Sequence, residues 1–198
     1  MPVFAMMVGI EGSGRSRFAR ERLEPQGFEI ISSDEVGKLL RQCWDIQKIL
    51  QEHEPDIVIG DDEIPRVATA DDQAMIREHI LSTYVLEEVL RRIRAALGKG
   101  RNIAWDATNL IRSNRKERVA MAREWGANRI VCYWMNLPPS RCAANLTNFV
   151  LSTGICIDAI TITRKTYARA KELEEPSVEE GFDDVIVVTE DEYGEITE

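Results

Sequence analysis

Residues 3–20, Val-Phe-Ala-Met-Met-Val-Gly-Ile-Glu-Gly-Ser-Gly-Arg-Ser-Arg-Phe-Ala-Arg, constrain the chain more than any other stretch. The apolar run Val3 to Val8 reads as a strand. It enters a glycine-rich turn at Gly9, Gly12 and Gly14 and leaves as a helix. That order makes a backbone cradle for phosphate, because glycines let successive N–H groups converge on one point and the helix start adds its positive dipole end. The spacing Gly9-x4-Gly14-Arg15-Ser16 fits the phosphate-loop pattern except that Arg15 stands where lysine is usual. Gly9, Glu11, Gly12, Ser13, Gly14, Arg15, Ser16 and Arg17 are therefore candidate nucleotide contacts. A glycine turn without a ligand is the competing reading.

The 198 residues, 44% hydrophobic and 30% charged, suit a single domain with a full core. We expect that domain over residues 1–189, with an acidic tail at 190–198. No apolar run approaches the roughly 20 residues of a membrane helix, and the N-terminus lacks a basic-then-apolar leader pattern. Cys43, Cys132, Cys142 and Cys156 form no CxxC pair and have no histidine at ligand spacing. Neither disulfides nor a structural zinc site is expected, so the cytoplasm is the default location. His53 and His79 read as surface or packing residues. The net charge of −9 is unevenly spread, since residues 172–198 hold twelve acids and no Lys or Arg. The remaining residues carry 22 acids against 25 bases, which leaves room for a local basic groove.

Further along, Pro25 and Gly27 end the first helix, and Phe28 to Ser32 is a short β-branched strand. Residues 34–53 show helical spacing, whereas 53–72 breaks it with Pro55, Gly60 and Pro65 among many acids. The expectation there is a solvated loop, with a cover over the substrate as the functional alternative. A long amphipathic helix follows over 72–97, then a strand over 101–106. A helix with a basic start runs over 112–125, and a strand over 128–135. Two helices follow at 138–151 and 158–173, and a last strand at 184–188. Five short strands alternating with helices predict a three-layer α/β fold with a parallel sheet. Ligands of such folds collect at the carboxyl ends of the strands, which here carry Gly9 to Ser16, Asp34, and Asp106 to Asn109.

Those residues suit phosphoryl transfer, which needs positioning, charge neutralisation and a proton acceptor. Ser16 is a candidate Mg²⁺ ligand through its hydroxyl, and Asp106 a second, direct or through water. Asp34 is placed either to take a proton from an acceptor hydroxyl or simply to cap the helix after it. Arg112, Arg115 and Lys116 are unfavourable to the dipole at a helix start, which argues for a phosphate-facing role of at least Arg115 over a merely solvated one.

Four motifs together resemble the P-loop kinases related to polynucleotide 5′-hydroxyl kinase. They are Gly9–Ser16, Ser32-Ser33-Asp34, Asp106-Ala107-Thr108-Asn109, and Pro176 with Glu180-Gly181-Phe182-Asp183. The resemblance implies strand order 2-3-1-4-5, ATP with Mg²⁺, a proton-accepting Asp34, and a helical lid bearing arginines after the fourth strand. It also draws Thr108 and Asn109 into the site. The lid pattern Arg-Asn-x-x-Arg falls on Ala144-Asn145-Leu146-Thr147-Asn148, so both arginines are absent, with Arg141 one turn earlier. An acceptor-side arginine is replaced by Gly37, next to Lys38. Arginine for lysine at position 15 changes a compact ammonium into a planar fork.

The leading expectation is a kinase that phosphorylates a hydroxyl on a polynucleotide end or a small metabolite. The altered cations favour an alternative, a nucleotide-binding pseudokinase acting through a partner. A scaffold that has lost nucleotide altogether is a third reading. The acidic loop set against Arg41, Lys48, Arg112, Arg115 and Lys116 favours a small acceptor, or one held only at its end.

Overall fold

The computed structural model describes residues 1–52, 57–59, 65–154 and 157–189. The expected tail at 190–198 lies outside them. The chain divides into two compact units, Met1–Ser32 with Ile93–Glu198, and Ser33–Arg92.

The first unit is built on a parallel sheet of β1 (Val3–Val8), β2 (Phe28–Ser32), β5 (Asn102–Asp106), β6 (Arg129–Met135) and β7 (Asp184–Val188). Their order is β2-β5-β1-β6-β7, the expected 2-3-1-4-5 among these five strands. Central β1 is buried from Phe4 to Val8 at 1% exposure or less, as a parallel strand covered on both faces should be. Alternation divides its side chains. Ala5 and Met7, with Ala104 of β5, join Ala19, Leu23, Leu110 and Cys142 in one core cluster. Phe4 and Met6 lie beside Ile103 and Trp105 on the other face, where the Phe4 and Trp105 rings stand 6.5 Å apart. Arg118 of α5 (Arg112–Glu124) lies over the Trp105 ring at 5.3 Å, and burial lowers its pKa from the usual guanidinium value. Burial likewise pushes the Cys132 thiol of β6 up to about 12.

The first helix is shorter than the expected 14–24. α1 spans Arg15–Phe18, widens into a π-helical turn over Ala19–Leu23, and then tightens into a 3₁₀ turn over Glu24–Gln26. α6 (Pro139–Thr153) and α7 (Ala159–Glu172) pack against each other. Asp158 caps α7, its carboxylate accepting from the Thr161 N–H at 2.8 Å.

In the second unit the single helix expected over 34–53 is two, α2 (Ser33–Arg41) and α3 (Trp44–Glu52). The N–H groups of Gln42 and Cys43 reach back only three residues, to Leu39 and Leu40, which closes the first helix. Part of the expected 53–72 loop is an antiparallel pair, β3 (Ile57–Ile59) with β4 (Pro65–Val67). Ile57-Val58-Ile59 is a β-branched triplet, short enough to be hidden by the acids around it. Residues 53–56 and 60–64 of that loop lie outside the described residues. α4 (Ala70–Leu97) starts two residues before the expected Asp72, because Thr69 and Asp72 bond reciprocally at its start. No helix among the described residues is long and apolar enough to cross a membrane.

Candidate functional site

The chain leaves β1 through Gly9 and re-enters helix at Arg15, and the loop between is specified by close approaches. Gly14 opens α1 from the left-handed region at φ 82°. Gly12 has φ 79°, and a Cβ there would stand 2.2 Å from the Cys142 carbonyl oxygen of α6, so only glycine fits. Asn145 of α6 donates from Nδ2 to the Gly12 carbonyl at 2.9 Å. Glu11, immediately before Gly12, faces Arg169 of α7 with Nε 3.5 Å from Oε1. Gly12 is thus held by α6 while Glu11 faces α7, the two packed helices of the expected lid.

Ser13 is fully buried, and its Oγ forms no hydrogen bond among the described residues. Arg15 is buried at 8% exposure, while Ser16 and Arg17 are half-buried, Arg17 paired with Glu21 at 2.8 Å.

The strand register sets Asp106, the last residue of β5, beside Ser32 of β2. Alternation puts it on the face of Ala104, toward the cluster that α1 and α6 help to form. Asp106 is 4% exposed, yet its carboxylate enters no hydrogen bond or ion pair among the described residues. A buried carboxylate left in that condition is unfavourable unless something cationic or strongly hydrogen-bonding comes to it.

Beyond Asp106 a chain of polar contacts ties this loop to the first one. The Gly9 N–H donates to the Thr108 carbonyl at 3.1 Å. Asn109 donates from Nδ2 to the Met7 carbonyl at 2.9 Å, and it does so at φ 48°, the one non-glycine residue with positive φ among those described. Such a residue is strained unless its surroundings hold it, and Arg115 does so. Its Nη1 donates to the carbonyls of Asn109 (3.0 Å) and Leu110 (2.6 Å). Its Nε and Nη2 meet the two oxygens of Glu180 at 2.6 and 2.7 Å.

This corrects the expectation of a phosphate-facing Arg115. Its side chain has no exposed surface, and its fork is committed to Glu180 and two backbone carbonyls. Arg112, at the same helix start, also turns to the acidic segment, donating from its backbone to Glu174 at 2.5 Å and from Nη2 to the Glu175 carbonyl at 3.2 Å. Lys116 is exposed. The Glu180-Gly181-Phe182-Asp183 motif serves the fold. Phe182 is buried, and Asp183 accepts from the Ile130 N–H at 2.6 Å. The Arg123 guanidinium donating to Asp183 lowers that carboxyl's pKa from its usual value.

Gly9 to Ser16, Asp106, Thr108 and Asn109 therefore come together in the first unit. Asp34 belongs to the second unit, exposed in the first turn of α2 and without a hydrogen bond or ion pair among the described residues. Arg141, one turn into α6, is exposed. Residue reasoning missed Asn145, Arg169 and Glu180 as contributors. Asn145 stood inside the lid pattern and Glu180 inside the last motif, whereas Arg169 carried no signal beyond lying one turn from Glu172.

A five-stranded parallel sheet with a glycine loop after its central strand defines a P-loop kinase-like protein. A family model described as AAA domain (AAA_33) matches residues 4–148, and the chain belongs to that family. No curated protein gave a significant match. Among solved structures, a candidate kinase from Chloroflexus aurantiacus superposes with a TM-score of 0.60 at 8% identity, covering 95% of this chain and 88% of that one. A sugar kinase from Janibacter sp. gives 0.51 at 14% identity, with 96% and 86% covered. A chain of the Pnkp1/Rnl/Hen1 RNA repair complex gives 0.53 at 18%, covering 87% of this chain but 46% of its own length. These are likenesses of fold.

Proposed function

We propose that this protein binds ATP with Mg²⁺ and transfers the terminal phosphoryl group to a hydroxyl, on a nucleic-acid end or a small metabolite. The observation that carries the reading is Asp106, a buried carboxylate without a partner among the described residues, at the carboxyl end of a strand and tied through Thr108 and Gly9 to a phosphate-type loop. The donor set fits the ligands. Magnesium is held by one or two carboxylates together with hydroxyls, waters and substrate phosphates. Ser16 and Asp106 offer that set, and no group of three or more His, Cys, Asp or Glu able to hold a metal occurs among the described residues. Ser13 Oγ adds a donor inside the loop that is unused among the described residues. When bound, Mg²⁺ offsets the negative charge of the phosphates.

The chain's own residues then divide the work. The backbone from Gly12 to Ser16 orients the phosphates, and Arg15 offsets their charge. Asp34 accepts the hydroxyl proton as the acceptor oxygen bonds to the γ-phosphorus. The bond from that phosphorus to the bridging oxygen breaks, and ADP leaves with the electron pair. The exposed carboxylate of Asp34, unengaged among the described residues, supports its role. Within the second unit, Arg41 is held by Glu78 at 2.7 Å and Lys48 lies 3.7 Å from Glu52. Bases so occupied favour a small or end-bound acceptor over one gripped along a polynucleotide, whose binding would weaken steeply with salt.

Calorimetry with ATP, with and without Mg²⁺, tests the reading. Wild-type protein is expected to bind with a metal-dependent component, and Ser16→Ala and Asp106→Asn each to lower that affinity at least tenfold. Unchanged affinity in both variants refutes the metal site, and no binding by wild type refutes the reading. Transfer from labelled ATP to a panel of hydroxyl acceptors then separates kinase from pseudokinase. Asp34→Asn should retain binding and stop transfer. Binding without transfer in wild type would favour the partner-dependent alternative.

A further inference from the structure

We propose that Arg169 of α7 is the phosphate-contacting cation of the lid, and that Glu11 of the glycine loop competes with nucleotide for it. The inference rests on the nucleotide-binding reading above and adds two residues with opposed effects.

The helix on which lid arginines are expected has none at the two pattern positions. Ala144 and Asn148 of α6 are both exposed and uncharged. α6 meets the loop instead through uncharged groups, the Cys142 carbonyl and the Asn145 amide at Gly12. The neighbouring helix meets the loop with charge. α7 carries Arg164, Lys165, Arg169 and Lys171, and Arg169 makes an ion pair with a loop residue, 3.5 Å from Glu11. Packing on α6 and a contact past its C-terminal end help to fix α7 beside the loop. α7 packs on α6, and just past its end the Glu174 N–H donates to the Leu110 carbonyl at 3.1 Å, beside Asn109.

Glu11 is the one acid in a loop whose other groups attract anions. A carboxylate there repels an incoming phosphate, and a guanidinium beside it offsets that repulsion. The contact is loose. At 3.5 Å it is an electrostatic pairing and a poor hydrogen bond, and both side chains are substantially exposed, at 38% and 44%. Arg169 Nη1 donates to Glu172 on its own helix, while Nη2 forms no hydrogen bond among the described residues. A planar fork with an unused edge, held by two half-exposed carboxylates, can rotate onto a phosphate without breaking any buried contact. Phosphate and Glu11 are then alternative partners of one cation.

That competition predicts opposite signs. Arg169→Ala should weaken Mg²⁺–ATP binding at least tenfold, and Arg169→Lys should recover most of the charge effect, to within about threefold of wild type. Glu11→Gln should tighten binding severalfold, because the competing carboxylate is gone while the side-chain shape remains. Lys165→Ala, exposed on the same helix, should change nothing. Calorimetric titration of the full chain with ATP reads all four variants, with thermal unfolding confirming that each is folded. If the pair were a brace for the loop, Glu11→Gln and Arg169→Ala would weaken binding alike, and that result overturns the proposal. So does an Arg169→Ala affinity within twofold of a wild type that binds ATP. A wild type that binds no ATP overturns the nucleotide reading itself, and this inference with it.

Discussion

Glu180→Gln is the most revealing single change in this chain, because it removes one charge from a wholly buried pair while keeping the shape. Glu180 and Arg115 have side-chain exposures of 1% and 0%, joined by contacts of 2.6 and 2.7 Å. With the carboxylate neutralised, the guanidinium is left buried with two backbone carbonyls to solvate it. Breaking a buried pair from one side costs about 3–5 kcal/mol. That is a large share of the roughly 5–15 kcal/mol that holds a domain folded. For a chain of this size each kcal/mol lowers the melting temperature by about 2–4 °C, so a fall of roughly 6–20 °C is expected. Thermal unfolding followed by circular dichroism, with urea titration alongside, measures it. Arg115→Met combined with Glu180→Leu should recover part of the loss, since an apolar pair of similar volume replaces a buried ion pair at little net cost. Full recovery is not expected, because the carbonyls of Asn109 and Leu110 lose their donor, a penalty of about 1–3 kcal/mol. A Glu180→Gln shift below about 1 kcal/mol would refute the claim that this pair holds the loop.

Gly12→Ala should unseat the glycine loop, since its Cβ would stand 2.2 Å from the Cys142 carbonyl oxygen. Nucleotide binding should be lost, whereas Gly27→Ala, at a similar φ of 86° with nothing within 4 Å, should lose only about 1–2 kcal/mol of stability and keep binding; equal binding in both variants would refute the steric argument. The carboxyl of Glu88 is lowered to about 2, first by its hydrogen bond from Arg91, against an ordinary value of 4.5. A depressed native value means that the stability it contributes is full above pH 4.5 and is lost as pH falls toward 2. Glu88→Gln should flatten the acid limb of a urea-midpoint profile between those values, and an unaltered limb would count against the pairing.

Much of this arrangement was legible because parallel sheets write themselves plainly. Continuous apolar runs give buried strands, and the residues just after them give the crevice, so Gly9–Ser16, Asp106 and Asn109 could be named from the chain alone. Two structural details were hidden by composition. Ile57-Val58-Ile59 pairs as β3 but is flanked by acids and prolines that read as loop, and α2 ends near Gln42 although apolar spacing runs on into α3. Arg115 is a different kind of failure. Arg115, Val119 and Ala122 share one stripe at positions i, i+4 and i+7, and all three are buried. The periodicity that gave the helix its inner face therefore already placed Arg115 inward. The helix-dipole effect that favours a phosphate-facing Arg115 is worth under about 1 kcal/mol at an exposed site, less than this burial. Its partner Glu180 lies 65 residues away, beyond any local pattern.

The polar chain from Gly9 through Thr108, Asn109 and Arg115 to Glu180 has a further consequence for how the site can vary. Each of its links is made within the fold, by backbone groups or buried side chains, and none passes through Arg15, Asp34 or Arg169. The shape of the glycine loop is thus secured independently of the cations that would meet a phosphate. Substitutions in the chain should lower stability and nucleotide affinity together, because the loop loses its backing. Substitutions of Arg169 or Glu11, half-exposed and loosely paired, should move affinity with little change in melting temperature. Arg15 falls between these groups, because it is buried at 8% exposure within the loop itself. Exchanging it for lysine replaces a wide fork by a point charge in a confined place, so affinity and stability should both respond.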